Sequence, residues 1–154
     1  MQELTQLKES PSQTAGPYVH IGCVPNFCDI TGVYPEDLGA QMVNAYTKGE
    51  RITLKGTVFD GTGTAIKDAM DEIWQADADG IYPGNDPRGV ADPNFTGWGR
   101  KAGDYDTGEW VFHTIRPGAV PFPDGRMMAP HISLWIVARG INIGLNTRMY
   151  FPDS

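Results

Sequence analysis

Met128-Ala129-Pro130-His131-Ile132-Ser133-Leu134-Trp135-Ile136-Val137-Ala138-Arg139 decides how this chain reads. Side chains alternate faces along a β-strand. Ile132, Leu134, Ile136 and Ala138 then form one apolar row, which needs a second layer to bury it. His131, Ser133, Trp135, Val137 and Arg139 share the other face. His131 is a good metal ligand, but its same-face neighbour Ser133 is a poor one for a transition metal. A histidine so isolated is ordinarily a hydrogen-bonded structural residue. Eight strand residues span ~26 Å, so Arg139 cannot serve the same small site as His131. A site that uses Arg139 lies at the other end of the domain or faces a neighbouring chain.

Working outward, Arg51 to Phe59 is the clearest further strand, because Ile52, Leu54 and Val58 alternate with polar residues. It stops at the turn Asp60-Gly61-Thr62-Gly63. Ala69–Ala76, Glu109–Ile115 and Thr147–Phe151 also read as strands, and Gly16–Gly22 as a short one. Residues 23–35, 81–108 and 116–130 read as loops. A loop as long as 81–108 inside a compact domain is usually functional or docked on a partner. Pro35 to Tyr46 is the one plausible helix: Pro35 suits a first helical position, and Leu38, Met42 and Tyr46 recur every four residues. Short strands outnumber helices, so the expected fold is mostly β: a β-sandwich with long loops and at most one short helix.

Composition narrows the function. At 154 residues the chain is long enough for one real core. Nineteen Gly and twelve Pro interrupt it too often for long helices. A net charge of −7 argues against non-specific binding to nucleic acid or anionic membrane. Residues 1–16 read as an extended arm that buries little of itself. No apolar leader or membrane-length run is present, so a cytoplasmic location is expected. Cys23 and Cys28 form a lone C-x4-C pair, expected to be two reduced thiols in a loop.

No G-x-S-x-G, P-loop, G-x-G-x-x-G or H-E-x-x-H signature occurs. Tyr82 follows the Asp79-Gly80 turn at the mouth of the long loop. A tyrosinate suits a ferric ion, although most loop tyrosines only pack or hydrogen-bond. Neither His20 nor His113 has a partner at ligand spacing.

Several motifs, in order along nearly the whole chain, resemble the intradiol ring-cleavage dioxygenases. They are Glu72-Ile73-Trp74-Gln75-Ala76-Asp77, Asp92-Pro93-Asn94-Phe95 with Gly99-Arg100, Thr114-Ile115-Arg116-Pro117-Gly118 and Ala129-Pro130-His131-Ile132-Ser133. Pro11 to Gly22 and Ala138-Arg139-Gly140-Ile141-Asn142-Ile143 are similar to the α-type chains of heteromeric members that act on protocatechuate (3,4-dihydroxybenzoate). The resemblance implies a β-sandwich over residues 17–154. Family chains continue past Tyr150-Phe151 with further strands, so this sandwich is expected to be shortened at its C-terminal end.

Catalytic members hold Fe(III) with two tyrosines and two histidines, and they cleave a catechol between its hydroxyl-bearing carbons with O2. Protocatechuate then yields 3-carboxy-cis,cis-muconate. Carried over by position, the first tyrosine falls on Tyr82 and the first histidine on His131. The second tyrosine falls on Val120 and the second histidine on Ser133. An arginine three residues before the first histidine falls on Met128. The resemblance therefore implies no catalytic residue and no metal in this chain, with Tyr82 and His131 as vestigial ligand positions. Iron belongs to a partner β chain, and higher-order hetero-oligomers are expected. This chain would lend substrate-binding residues to the partner's site: Thr14, Gly16, Pro17 and Arg139. Gly16-Pro17 brings backbone close to a ligand with little bulk, and an arginine suits an anionic aromatic acid. Two rivals remain: a self-sufficient metalloenzyme adding His20 or His113 to Tyr82 and His131, and a β-sandwich binding module without oxygen chemistry.

Overall fold

Strands β1 (Arg51–Thr57) and β4 (Glu109–Ile115) pair antiparallel, with Leu54 opposite Phe112. The computed structural model describes residues 9–152. Beside this ribbon lies a four-stranded antiparallel sheet in the order β3-β2-β7-β8. Its strands are β2 (Met70–Trp74), β3 (Trp98–Ala102), β7 (His131–Val137) and β8 (Leu145–Tyr150). A two-residue pair, β5 (Val120–Pro121) with β6 (Met127–Met128), stands apart.

The two larger sheets share one core. Leu54, Trp110 and Phe112 come from the ribbon, and Ile73, Ile132, Leu134 and Ile136 from the four-stranded sheet. Alternation puts these residues on facing sides, as expected of a β-sandwich. Each fully buried Phe, Ile or Leu side chain contributes roughly 1.5–3 kcal/mol from area removed from water. Polar groups also cross the layers: the Thr114 hydroxyl donates to Gln75 Oε1, and Gln75 Nε2 donates to the Ile115 carbonyl. The outer face of β7 is half covered: His131 and Val137 are buried, Ser133 and Trp135 only partly.

Gly56 explains how the ribbon accommodates Trp110. The two residues are opposite in register, and a Cβ on Gly56 would overlap the indole ring. Gly56→Ala is expected to cost about 2–3 kcal/mol, the upper range for overpacking. Urea unfolding would measure it, and a loss under about 1 kcal/mol would mean that Trp110 moves freely.

Four local expectations need correction. The segment 16–22 is not a strand; it leads into α1 (Val19–Cys23). Local bonds close this turn, including Val24 N–H to the His20 carbonyl, and docking buries His20 and Val24. Five residues are too few for a helix to stand on propensity, so packing decides it. The helix expected over Pro35–Tyr46 does not form. Leu38 and Tyr46 are exposed and only Met42 is buried, so the four-residue spacing marks no common face. Gly39 has a φ of 79°, and its carbonyl accepts from Arg100 N–H, which straps the segment along β3.

The third correction is β3 itself, which lies inside the expected loop 81–108. Gly99 packs beneath Met42 and Phe112, and Arg100 pairs with Glu72 at 2.6 Å, directly opposite in register. The fourth is the β5–β6 pair inside the expected loop 116–130. Of the arm expected over 1–16, the first eight residues lie outside the described ones. Residues 9–16 contain one bridge, Thr14 with Asn142. Among the described residues no helix is long and apolar enough to cross a membrane. Cys23 and Cys28 are free thiols at the end of α1 and in the following turn.

Candidate functional site

Two places collect the candidate residues. The first is the turn after β7. The N–H of Gly140 donates to Thr14 Oγ1 at 2.8 Å, and Thr14 Oγ1 lies 3.2 Å from the Ala138 carbonyl, as its donor. The Ile143 N–H donates to the Gln13 carbonyl. Residues more than 120 positions apart are thus tied together, and Thr14 sits against the turn that carries Arg139. Gly140, with φ of 85°, makes that turn at little steric cost.

Arg139 is exposed on its outer side. Its Nε lies 3.0 Å from Asp68 Oδ2, yet both Asp68 oxygens are buried and accept no hydrogen bond. The pair is a contact of charges, off the line of the N–H. It holds the guanidinium stem while leaving the outer nitrogens to solvent. Nothing in the sequence motifs singled out Asp68. Gly16 and Pro17 follow two and three residues after Thr14. Gly16 accepts from Val19 N–H, and nothing lies within 4 Å of where its Cβ would be.

The second place lies under the long loop. Asp77 holds the start of that loop: its carboxylate accepts from the N–H groups of Asp79, Ile81 and Asp92. Gly80, with φ of 77°, abuts the Ala119 carbonyl so closely that a Cβ cannot fit. That approach delivers Tyr82 to the β5 segment. Tyr82, Val120 and Met128 border one cavity of about 390 Å³, and Val120 and Met128 are register partners. Tyr82 stacks on Trp74, with centroids 5.7 Å apart. Burial raises the Tyr82 phenol above its ordinary value, against the pull of the Arg148 and Arg88 charges. It is therefore a neutral hydroxyl at neutral pH. A larger cavity, about 710 Å³, lies between residues 26 and 40 and contains none of the candidate residues.

His131 is buried three residues after Met128. Its Nδ1 lies 2.9 Å from the Ala129 carbonyl, and its Nε2 is buried without a partner. Ser133 faces Trp74 on one side and Arg148 on the other. These residues do not fit a resident ferric ion. Val120 offers no donor atom, Met128 offers a soft thioether, and Ser133 is a poor ligand. Among the described residues no group of three or more His, Cys, Asp or Glu side chains could hold a metal ion. His113 lies on the ribbon, 3.2 Å from Thr53 Oγ1, and His20 is buried beside Tyr105; neither is placed with Tyr82.

A family model described as Dioxygenase matches residues 24–154. The chain belongs to the intradiol dioxygenase family. It is 44% identical to the protocatechuate 3,4-dioxygenase alpha chain of Pseudomonas putida, over 96% of this chain and 72% of that one. Identity to the alpha chain of Burkholderia cepacia is 35%, over 98% and 74%. The beta chain of Burkholderia cepacia is 36% identical over 72% of this chain and 48% of its own length.

Solved members of the family share the fold. A catechol 1,2-dioxygenase of an Acinetobacter species superposes with a TM-score of 0.60 at 25% identity, covering 71% of this chain and 39% of that one. The dioxygenase domain of a Streptomyces fusion protein gives 0.57 at 25%, covering 94% and 76%. The chain thus spans about three quarters of the alpha chains and less than half of the beta chain and the catechol enzyme.

Proposed function

We propose that this chain is the non-catalytic α subunit of a heteromeric protocatechuate 3,4-dioxygenase. In this reading it completes the substrate pocket of a β chain that carries the iron. The observation that carries the reading is the tie between Thr14 and the Ala138–Gly140 turn. It gathers the N-terminal motif and Arg139 into one exposed surface, away from the Tyr82 cavity. A second support is chemical: Val120, Met128 and Ser133 stand where catalytic relatives need a tyrosine, an arginine and a histidine.

The division of labour follows from the side chains. The exposed guanidinium of Arg139 can take the carboxylate of 3,4-dihydroxybenzoate through two parallel N–H donors. Thr14 fixes the Arg139 turn, and Gly16-Pro17 lets backbone approach the ring. Iron in the partner supplies the oxygen chemistry when bound; this chain supplies position and exclusion of water.

Co-expression with a family β chain tests the reading. The expected result is a co-purifying complex with one ferric ion per α–β pair and a tyrosinate-to-iron visible band. The α chain purified alone is expected to have neither. Stoichiometric iron in the isolated chain would overturn the assignment in favour of a self-sufficient metalloenzyme.

A further inference from the structure

The cavity beside Tyr82 has features that the α-subunit reading does not use. Its walls are apolar: Pro83, Pro87, Val120, Pro121 and Met128, with Tyr82 as the one phenol. Two arginines border it, and they differ. Arg88 is held by Asp86 through two parallel contacts, Nε to Oδ1 at 2.9 Å and Nη2 to Oδ2 at 2.5 Å. That pair is neutral overall, and its charge is spent. Arg148, on β8, has no carboxylate partner among the described residues. Its Nη1 lies 3.8 Å from Met128 Sδ, on the cavity wall. The net charge of Asp86, Arg88 and Arg148 is therefore +1, set against an apolar box.

We infer that this cavity is a binding site for a small apolar monocarboxylate, held by Arg148 and by the Tyr82 hydroxyl. Arg148 supplies a planar fork of donors for the carboxylate. The proline, valine and methionine walls take the apolar body, and the Trp74–Tyr82 stack gives one wall rigidity. About 390 Å³ exceeds what a single aromatic ring with a carboxylate occupies. The vestigial site has thus exchanged a metal for a fixed organic cation. Its occupant is retained rather than transformed, because the walls offer no nucleophile aligned with a base.

The test titrates the full chain with benzoate, following amide shifts and tryptophan fluorescence from Trp74. Saturable one-site binding is expected, with Kd of about 1 mM, a reasonable affinity for so few atoms. Benzamide, its uncharged analogue, is expected to bind at least about tenfold more weakly, and Arg148→Gln to weaken benzoate by about tenfold. Arg148 is exposed, so the variant's melting temperature should stay within about 1–2 °C of the parent, as for most surface substitutions. Arg139→Ala is expected to leave this binding unchanged, which separates the site from the α-subunit surface. Benzoate binding that survives Arg148→Gln, benzamide binding as tightly as benzoate, or no saturation would each overturn the inference.

Discussion

Replacing Arg139 with alanine in the assembled α–β enzyme is expected to raise the KM for protocatechuate by about 30–100-fold, with iron content unchanged. The magnitude follows from losing a charge-assisted, bidentate contact worth about 2–3 kcal/mol. The effect should fall mainly on KM, because the arginine holds a carboxylate remote from the ring carbons that react. Catechol, which lacks the carboxylate, should be cleaved equally well by parent and variant, a control that a misfolded subunit would fail. Arg139→Lys is expected to recover only part of the loss, since an ammonium cannot form two parallel bonds. Loss of iron, or an equal fall in catechol turnover, would show that Arg139 supports the assembly and not the substrate.

How much of this was legible in the sequence varies by element. Glu109–Ile115 is a strand in both sequence and structure, because its alternation is clear and turns bound it. The inner row of β7 also packs as its pattern requires. The β3 strand was hidden, because Gly99-Arg100-Lys101 carries no alternation. Its place depends on a glycine under Met42 and on an arginine opposite Glu72, which are pairwise facts. The periodic segment 35–46 misled in the opposite sense. Gly39 there meets the Arg100 backbone, and tertiary contact overrides a weak local preference.

The site divides the same way. The losses at Val120, Met128 and Ser133 could be read by position, since they are single-residue facts. The tie of Thr14 to the Arg139 turn could not, because it joins segments 124 and 126 positions apart. Asp68 and Arg148 carried no motif at all. Arg148 could have been noticed only through its strand register opposite Ser133.

Asp71→Asn is expected to make the protein more stable at pH 8 and to flatten its stability profile between pH 4 and pH 7. Asp71 lies on β2 on the same face as Ile73 and Gln75, which turns it into the sandwich interior, where it is fully buried. Neither carboxylate oxygen has a hydrogen-bond partner. Lys101 is opposite in register on β3, but no ion pair joins the two. Burial alone pushes the carboxyl up from 3.8 to about 7. Its folded-state value thus lies above the unfolded one. The neutral form's stability is fully present below pH 3.8 and is lost as pH rises through about 7. At about 1.4 kcal/mol per unit, the loss approaches roughly 4 kcal/mol. Asparagine keeps the shape and removes the titration. Thermal melts at pH 5 should then differ little between the two proteins, whereas at pH 8 the variant should melt about 5–10 °C higher. If both melt alike at pH 8, Asp71 is neutralised in solution by a partner such as Lys101, and the charge would not limit the sandwich's stability.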